Sequence, residues 1–136
     1  MNIKQFTPLF ILVTLTLSTL LVACRKDVAD PEVTVTFNIA SPLASTTYDL
    51  GDTVFVNVTI TGSEELHGYE VDMNNLTGDS TVFDAHAHNH ASSFTINGYF
   101  VNNVTDHSEM ELRVKAFIDH DDNYKEKVVE FHCHPD

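Results

Sequence analysis

Positive charge is scarce in this 136-residue chain, which carries seven lysines and arginines against 20 aspartates and glutamates. Its formal net charge is −13 at pH 7 when histidine is counted as neutral. Proteins that bind nucleic acid contact its phosphates with lysine and arginine, so this balance excludes nucleic acid as an expected partner. The excess of carboxylates favours cations instead, and it keeps the folded part of the chain away from anionic lipid.

The sequence patterns of common catalytic sites are also missing. We find no nucleophile elbow, no phosphate-binding loop and no pair of carboxylates spaced for acid–base catalysis. We therefore expect a protein that is not an enzyme. A mononuclear metal-dependent hydrolase stays open as an alternative, because a metal held by two or three histidines with one open position suits that chemistry.

A long apolar run occurs at the N-terminus. Lys4 precedes an uncharged, mostly apolar stretch from Phe6 to Ala23, which predicts an export signal. Its apolar core of about 15–18 residues is shorter than the ~20 that a membrane-spanning helix needs. The stretch 21–24, Leu-Val-Ala-Cys, resembles the lipobox of bacterial lipoproteins. This resemblance implies cleavage before Cys24, acylation of Cys24 and stable anchoring to a membrane by more than one acyl chain.

The chain therefore divides into three predicted segments: a lipoprotein signal peptide at 1–23, a lipidated tether at 24–31 and one domain at 32–136. We expect an exported protein, anchored by lipid in the bacterial cell envelope. With Cys24 assigned to lipid, Cys133 has no partner for an intrachain disulfide. Cys133 shares a strand face with Val129 and Phe131, which favours a small buried hydrophobic residue over a metal ligand.

Beyond Pro31, apolar and polar residues alternate with a period of two, and no segment has the periodicity of a helix. The pattern predicts seven strands at 32–40, 53–61, 67–75, 80–90, 92–101, 109–119 and 124–134. Seven short strands at this spacing resemble a seven-stranded antiparallel immunoglobulin-like or fibronectin-type sandwich, here following an N-terminal signal helix. Because the chain has no tryptophan, the Cys–Trp–Cys signature of antibody domains is absent, and the all-β assignment depends on the strand pattern.

Histidine is abundant, with eight in the chain, and three of them alternate at His86, His88 and His90. Residues two apart on a strand lie ~6.6–7 Å apart on one face, so a neighbouring pair can share a metal ion. The outer two are ~13 Å apart on a flat strand, so all three can bind one ion only if the segment bends. A metal site here needs a bend or a ligand from elsewhere.

The connections of an antiparallel sandwich alternate between its two ends, and this predicts two groups of ligands. The larger group comprises His67, His86, His88, His90 and His120, with Asp119 and Asp121 nearby. The smaller group, at the opposite end, comprises His107, His132 and His134. Imidazoles with carboxylates suit Zn²⁺ first, and Cu²⁺ or Ni²⁺ next.

Calcium is a weaker alternative. The residues Asp119, Asp121, Asn123 and Glu130 have the spacing of an EF-hand loop, but Tyr124 stands where that loop requires glycine, and strands flank it. A polar hairpin between the sixth and seventh predicted strands explains the segment better. The sequence thus favours an envelope lipoprotein that captures, buffers or delivers a divalent transition metal, with an envelope metal transporter or receptor as a partner. The alternative is a metal-independent adhesion or assembly module whose histidines are incidental.

Overall fold

The computed structural model describes residues 32–136, so the predicted signal peptide, the signal helix and the tether lie outside the described residues. Val33–Asp136 forms one compact unit. Within it the chain forms eight strands: β1 (Val35–Ser41), β2 (Thr47–Tyr48), β3 (Thr53–Leu66), β4 (Gly68–Asn75), β5 (Ser80–Ala87), β6 (Ala91–Val101), β7 (Ser108–Phe117) and β8 (Tyr124–Cys133). Residues 32–136 contain no helix able to cross a membrane.

The strands form two sheets, one in the order β1-β3-β6 and the other in the order β2-β8-β7-β4-β5. Apolar residues of both sheets pack into one core, which makes the domain an all-β, immunoglobulin-like sandwich of the kind that fibronectin type III domains share. The predicted fold class is confirmed, but two details of the prediction are wrong. The described chain has eight strands, and the added strand β2 pairs with β8 in parallel.

The strand β2 escaped prediction because two residues are too few to show an alternating pattern. Its register sets Thr47 beside His132 and Tyr48 beside Cys133. The backbone N–H of His132 donates to the carbonyl of Thr46 at 2.9 Å, and that of His134 donates to the carbonyl of Tyr48 at 2.8 Å. These bonds hold the last residues of the chain against the second sheet.

The core confirms the predicted alternation. In β3 the four predicted inward residues are all buried, with exposures between 0 and 2%: Val54, Val56, Val58 and Ile60. The facing sheet contributes Leu112, Val114 and Phe131, each with an exposure of 0%. Burying each such side chain stabilises the fold by roughly 1.5–3 kcal/mol, and the histidines take no part in this core.

Antiparallel pairing brings three connections to one end of the sandwich. The β3–β4 connection is the single residue His67, the β5–β6 connection spans residues 88–90, and the β7–β8 connection spans residues 118–123. The β6–β7 connection and the end of β8 lie at the opposite end. The histidines therefore gather where strands end, on loops carried by rigid strands.

Candidate metal centre

His67 occupies the tight connection between β3 and β4, and its neighbours fix it there. Leu66 is fully buried on one side, and the backbone N–H of His67 donates to the carbonyl of Phe117 at 2.8 Å. Gly68 follows with a φ of +145°, a conformation that glycine adopts readily. A Cβ at position 68 would collide with the carbonyl oxygen of Ala87, so glycine is what lets β4 approach the end of β5.

His88 and His90 lie beyond the end of β5, which stops at Ala87. The chain passes there from the sheet of β5 to that of β6, so the two histidines lie in a connection and not in a strand. Nδ1 of His90 lies 3.1 Å from Oε1 of Glu65 in a hydrogen bond. Because the ionised carboxylate of Glu65 can only accept a hydrogen bond, Nδ1 of His90 carries the proton, and Nε2 of His90 keeps its lone pair for a metal ion. A carboxylate behind a histidine is the usual way that proteins orient an imidazole ligand.

His120 lies in the β7–β8 turn, which Asp119 organises. Oδ1 of Asp119 accepts the backbone N–H groups of Asp121 at 2.9 Å and Asn123 at 3.2 Å. Oδ2 accepts the side-chain amide of Asn123 at 2.7 Å. These bonds, led by the one from the Asn123 side chain, lower the pKa of Asp119. The carboxylate of Asp119 thus serves the turn, and Asp121 remains exposed outside the histidine group.

Three histidines from three connections meet, and we call His67, His90 and His120 the first cluster. Each offers a nitrogen, and these nitrogens all lie within 4.8 Å of one another. The ring centroid of His67 lies 4.4 Å from that of His90 and 4.2 Å from that of His120. Zinc with Zn–N bonds of 2.0–2.1 Å separates its tetrahedral ligands by ~3.3 Å, so small side-chain rotations would complete the geometry.

His67 has the strongest signs of a ligand. Its Nδ1 is buried and has no hydrogen-bond partner within residues 32–136. Burial first, and then the neighbouring rings of His120 and His90, lower the pKa of His67, while Glu65 and Asp119 oppose this shift. A lowered pKa favours the neutral imidazole, which is the form that binds metal.

Two predicted members of the larger group stand apart from the first cluster. The ring of His88 lies 6.2 Å from those of both His90 and His120, so it borders the cluster. His86 lies within β5, opposite Glu70, with a side chain 78% exposed. Strand alternation carries its ring outward, where Nδ1 is 3.8 Å from Oδ2 of Asp84. The structure therefore does not bring His86 to the cluster.

An open pocket of about 210 Å³ adjoins the cluster. His86, His88 and His120 line it, with Tyr69, Glu70, Ala87, Phe117, Asp119 and Asp122. Glu70 is already engaged, because Nζ of Lys115 donates to its Oε1 at 2.6 Å. That bond, ahead of burial, lowers the pKa of Glu70. The pocket thus leaves one side of the cluster open to solvent. Glu70, one of the carboxylates that line the pocket, is already paired with Lys115.

A second cluster, formed by His107, Glu109 and His132, lies at the opposite end, with ligand atoms also within 4.8 Å of one another. The ring of His134 packs 4.5 Å from that of His107, between centroids. The predicted smaller group thus comes together. Glu65 and Glu109 were missed by the sequence reasoning. Glu109 carried a signal, since it stands two residues after His107.

Cys133 lies in the core beside these ligands but faces away from them. Its exposure is 0%, and burial raises the pKa of its thiol to about 11, with Asp52 contributing. The prediction of a buried, hydrophobic Cys133 is confirmed. A thiol with so high a pKa does not supply the thiolate that metal binding requires.

No protein-family model and no curated protein sequence matches this chain. Among solved structures, the fibronectin(III)-like modules of Clostridium thermocellum CbhA are similar to it, with a TM-score of 0.47 and 16% sequence identity. The match covers 73% of this chain and 96% of that chain. At this identity the similarity concerns the fold alone, which the strand order already establishes.

Proposed function

We propose that this protein binds and releases a divalent transition-metal ion, zinc first, at the first cluster. The observation that supports the proposal most is the meeting of three imidazoles from three separate connections. Histidines scattered at random over a sandwich would not gather at the same end within 4.8 Å. The buried, unpartnered Nδ1 of His67 adds to this, since a buried polar atom without a partner costs free energy.

The geometry favours exchange of the ion over permanent retention. Structural zinc sites are closed by four protein ligands, whereas three histidines leave a position for water or an incoming ligand. His90 and His120 are exposed, and the adjoining pocket opens the site to solvent. The acidic surface raises the local concentration of cations and speeds their arrival.

The donor set favours zinc, with Cu²⁺ and Ni²⁺ as further candidates, because imidazole suits all three. Calcium prefers six to eight oxygen ligands. Asp119, the carboxylate best placed to supply them, is bonded within its own turn. A hydrolytic role is less well supported, because Glu70, a carboxylate that lines the adjoining pocket, is held by Lys115.

We also propose that the protein acts at the bacterial cell envelope, held there by lipid on Cys24. The lipobox-like residues 21–24 support this. A lipid anchor would hold the metal site near an envelope transporter or receptor. Radiolabelled palmitate should enter the wild-type chain in a bacterial host and should not enter Cys24→Ser. Equal labelling of both chains would contradict the anchor and would leave the metal site untouched.

The metal proposal is tested by calorimetric titration with zinc at pH 7.5, using the full chain with Cys24→Ser in mild detergent. His67→Ala combined with His90→Ala should weaken binding by about 100-fold or more, since two ligands are lost. His86→Ala is the matched control, because it removes a histidine outside both clusters, and it should bind as the parent does.

Two results would count against the proposal: no zinc binding by the parent, or equal weakening by His86→Ala. If the parent binds no zinc and the histidine variants are as stable as the parent, the alternative function, a metal-independent adhesion or assembly module, is supported.

A further inference from the structure

The second cluster has a geometry that hydrogen bonding does not explain. The two carboxylate oxygens of Glu109 face two different rings, with Nε2 of His107 at 3.5 Å and Nδ1 of His132 at 3.1 Å. Yet Nδ1 of His132 is buried and has no hydrogen-bond partner among the described residues. The carboxylate is therefore close to the nitrogen but out of line with its N–H direction.

A shared metal ion explains both the distances and the direction. Two ligands at 2.0–2.1 Å from a tetrahedral zinc ion are separated by ~3.3 Å, between the two separations observed. The lone pairs of the Glu109 oxygens and of the histidine nitrogens then point at the ion and not at each other. His134 stands beside His107 with ring centroids 4.5 Å apart, two residues beyond His132 on the same face of the chain. It would supply the fourth ligand.

Strand pairing and a buried side chain hold the residues around the second cluster. His132 is the partner of Glu109 in the β7–β8 register and of Thr47 in the β2–β8 register. The buried side chain of Asn102 donates to the carbonyls of Tyr48 at 3.0 Å and His134 at 2.9 Å. A metal ion here would join the β6–β7 connection to the end of the last strand.

We infer that His107, Glu109, His132 and His134 form a second metal site, closed by four protein ligands, that holds zinc and fastens β8 to the β6–β7 connection. This site is independent of the first cluster. Its role is structural, because a closed tetrahedral site leaves no position for exchange.

The test measures zinc held by the full chain, carrying Cys24→Ser, in detergent at equilibrium dialysis against buffer that contains free zinc. The parent and the control His86→Ala should each retain about two zinc ions, one per cluster. The triple variant His67→Ala, His90→Ala, His120→Ala should retain about one. Adding Glu109→Gln and His132→Ala to that triple variant should remove the last ion. X-ray absorption of the triple variant should show four nitrogen or oxygen ligands and no sulfur.

Stability gives a second readout. In the triple-variant background, zinc should raise the urea midpoint. Glu109→Gln, an exposed substitution that leaves the core intact, should reduce this rise, and adding His132→Ala should abolish it. A triple variant that retains no zinc would overturn the second site while leaving the first cluster standing. A zinc-dependent rise that Glu109→Gln leaves unchanged would also overturn it. If the triple variant retains as much zinc as the parent, the first cluster fails and the second stands.

Discussion

Substituting Gly68 with alanine tests how the fold creates the first cluster. The new Cβ would meet two backbone groups, the carbonyl oxygen of Ala87 and, at 3.2 Å, the Cα of His88. Neither can rotate away, so β4 and the end of β5 must separate. A side chain at φ +145° also costs about 1–3 kcal/mol in backbone strain. Overpacking typically adds about 1–3 kcal/mol, so we expect the free energy of unfolding to fall by about 2–6 kcal/mol in all.

Gly51 supplies the matched control. It also has a positive φ, +88°, but a Cβ added there would have no neighbouring atom within 4 Å. Gly51→Ala should therefore cost only the conformational strain, about 1–2 kcal/mol. Urea unfolding in EDTA, followed by far-ultraviolet circular dichroism, gives both values without metal. A total stability of about 10 kcal/mol, in the middle of the usual range, leaves both variants folded in water.

The same pair of variants separates a local effect on the metal site from a general loss of stability. Gly68→Ala displaces the backbone beside His67 from the backbone at Ala87 and His88. The affinity for zinc, measured by competition with a chromophoric chelator, should therefore fall about tenfold or more. Gly51→Ala should leave zinc affinity unchanged. Equal losses of stability in the two variants, or full zinc affinity in Gly68→Ala, would refute the packing account.

Two further substitutions and one labelling experiment probe single contacts. Glu65→Gln removes the carboxylate that accepts the hydrogen bond from His90 and should weaken zinc binding by about 10- to 100-fold in calorimetry. The neighbouring Glu64 has no hydrogen bond to a histidine in the described chain, so the control Glu64→Gln should bind zinc as the wild type does. Equal weakening by the two substitutions would contradict the role of Glu65. Lys115→Met removes the cation that lowers the pKa of Glu70, whose side chain is 36% exposed, so screening limits the loss at pH 7 to about 1 kcal/mol. A carboxyl group with a lowered pKa adds stability above the unfolded-state pKa, ~4.3, and loses it as pH falls through the folded-state pKa. The difference from wild type measured in urea should therefore shrink as the pH falls below ~4.3. A difference that stays constant throughout the acid range would exclude this pair as its cause. In a Cys24→Ser chain at pH 8, Cys133 should react with iodoacetamide about 100-fold or more slowly than in urea, because its thiol pKa is about 11. Rapid native labelling would contradict its burial.

Sequence reasoning predicted the parts of the fold that depend on alternation. Val54 and Phe131 face the core because strand periodicity fixes the side of each residue. It also predicted which connections share an end, which is a property of antiparallel order. It could not place His86 outside the cluster, because the strand that holds His86 ends at Ala87, where Gly68 approaches closely, and that approach is a tertiary contact.

The same limit explains why the two glutamates were missed. Glu65 meets His90 because β3 and β6 shift register between Thr61 and Leu66, an irregularity that no local pattern shows. Glu109 meets His132 through the pairing of β7 with β8. A contact between strands depends on register, and register depends on the whole core and on the turns.

Delivery, as proposed, requires that the protein release its ion without unfolding, and the contacts around the first cluster fit this requirement. The hydrogen bond from the backbone N–H of His67 to Phe117, the approach of Gly68 to Ala87 and the hydrogen bonds of Asp119 within its turn all form without metal. The core of the described domain contains no histidine. Small domains whose fold depends on their zinc unfold when it leaves. In the proposed site the ligands are positioned beforehand, so we expect little ordering to oppose binding and the sandwich to stay folded when the ion leaves.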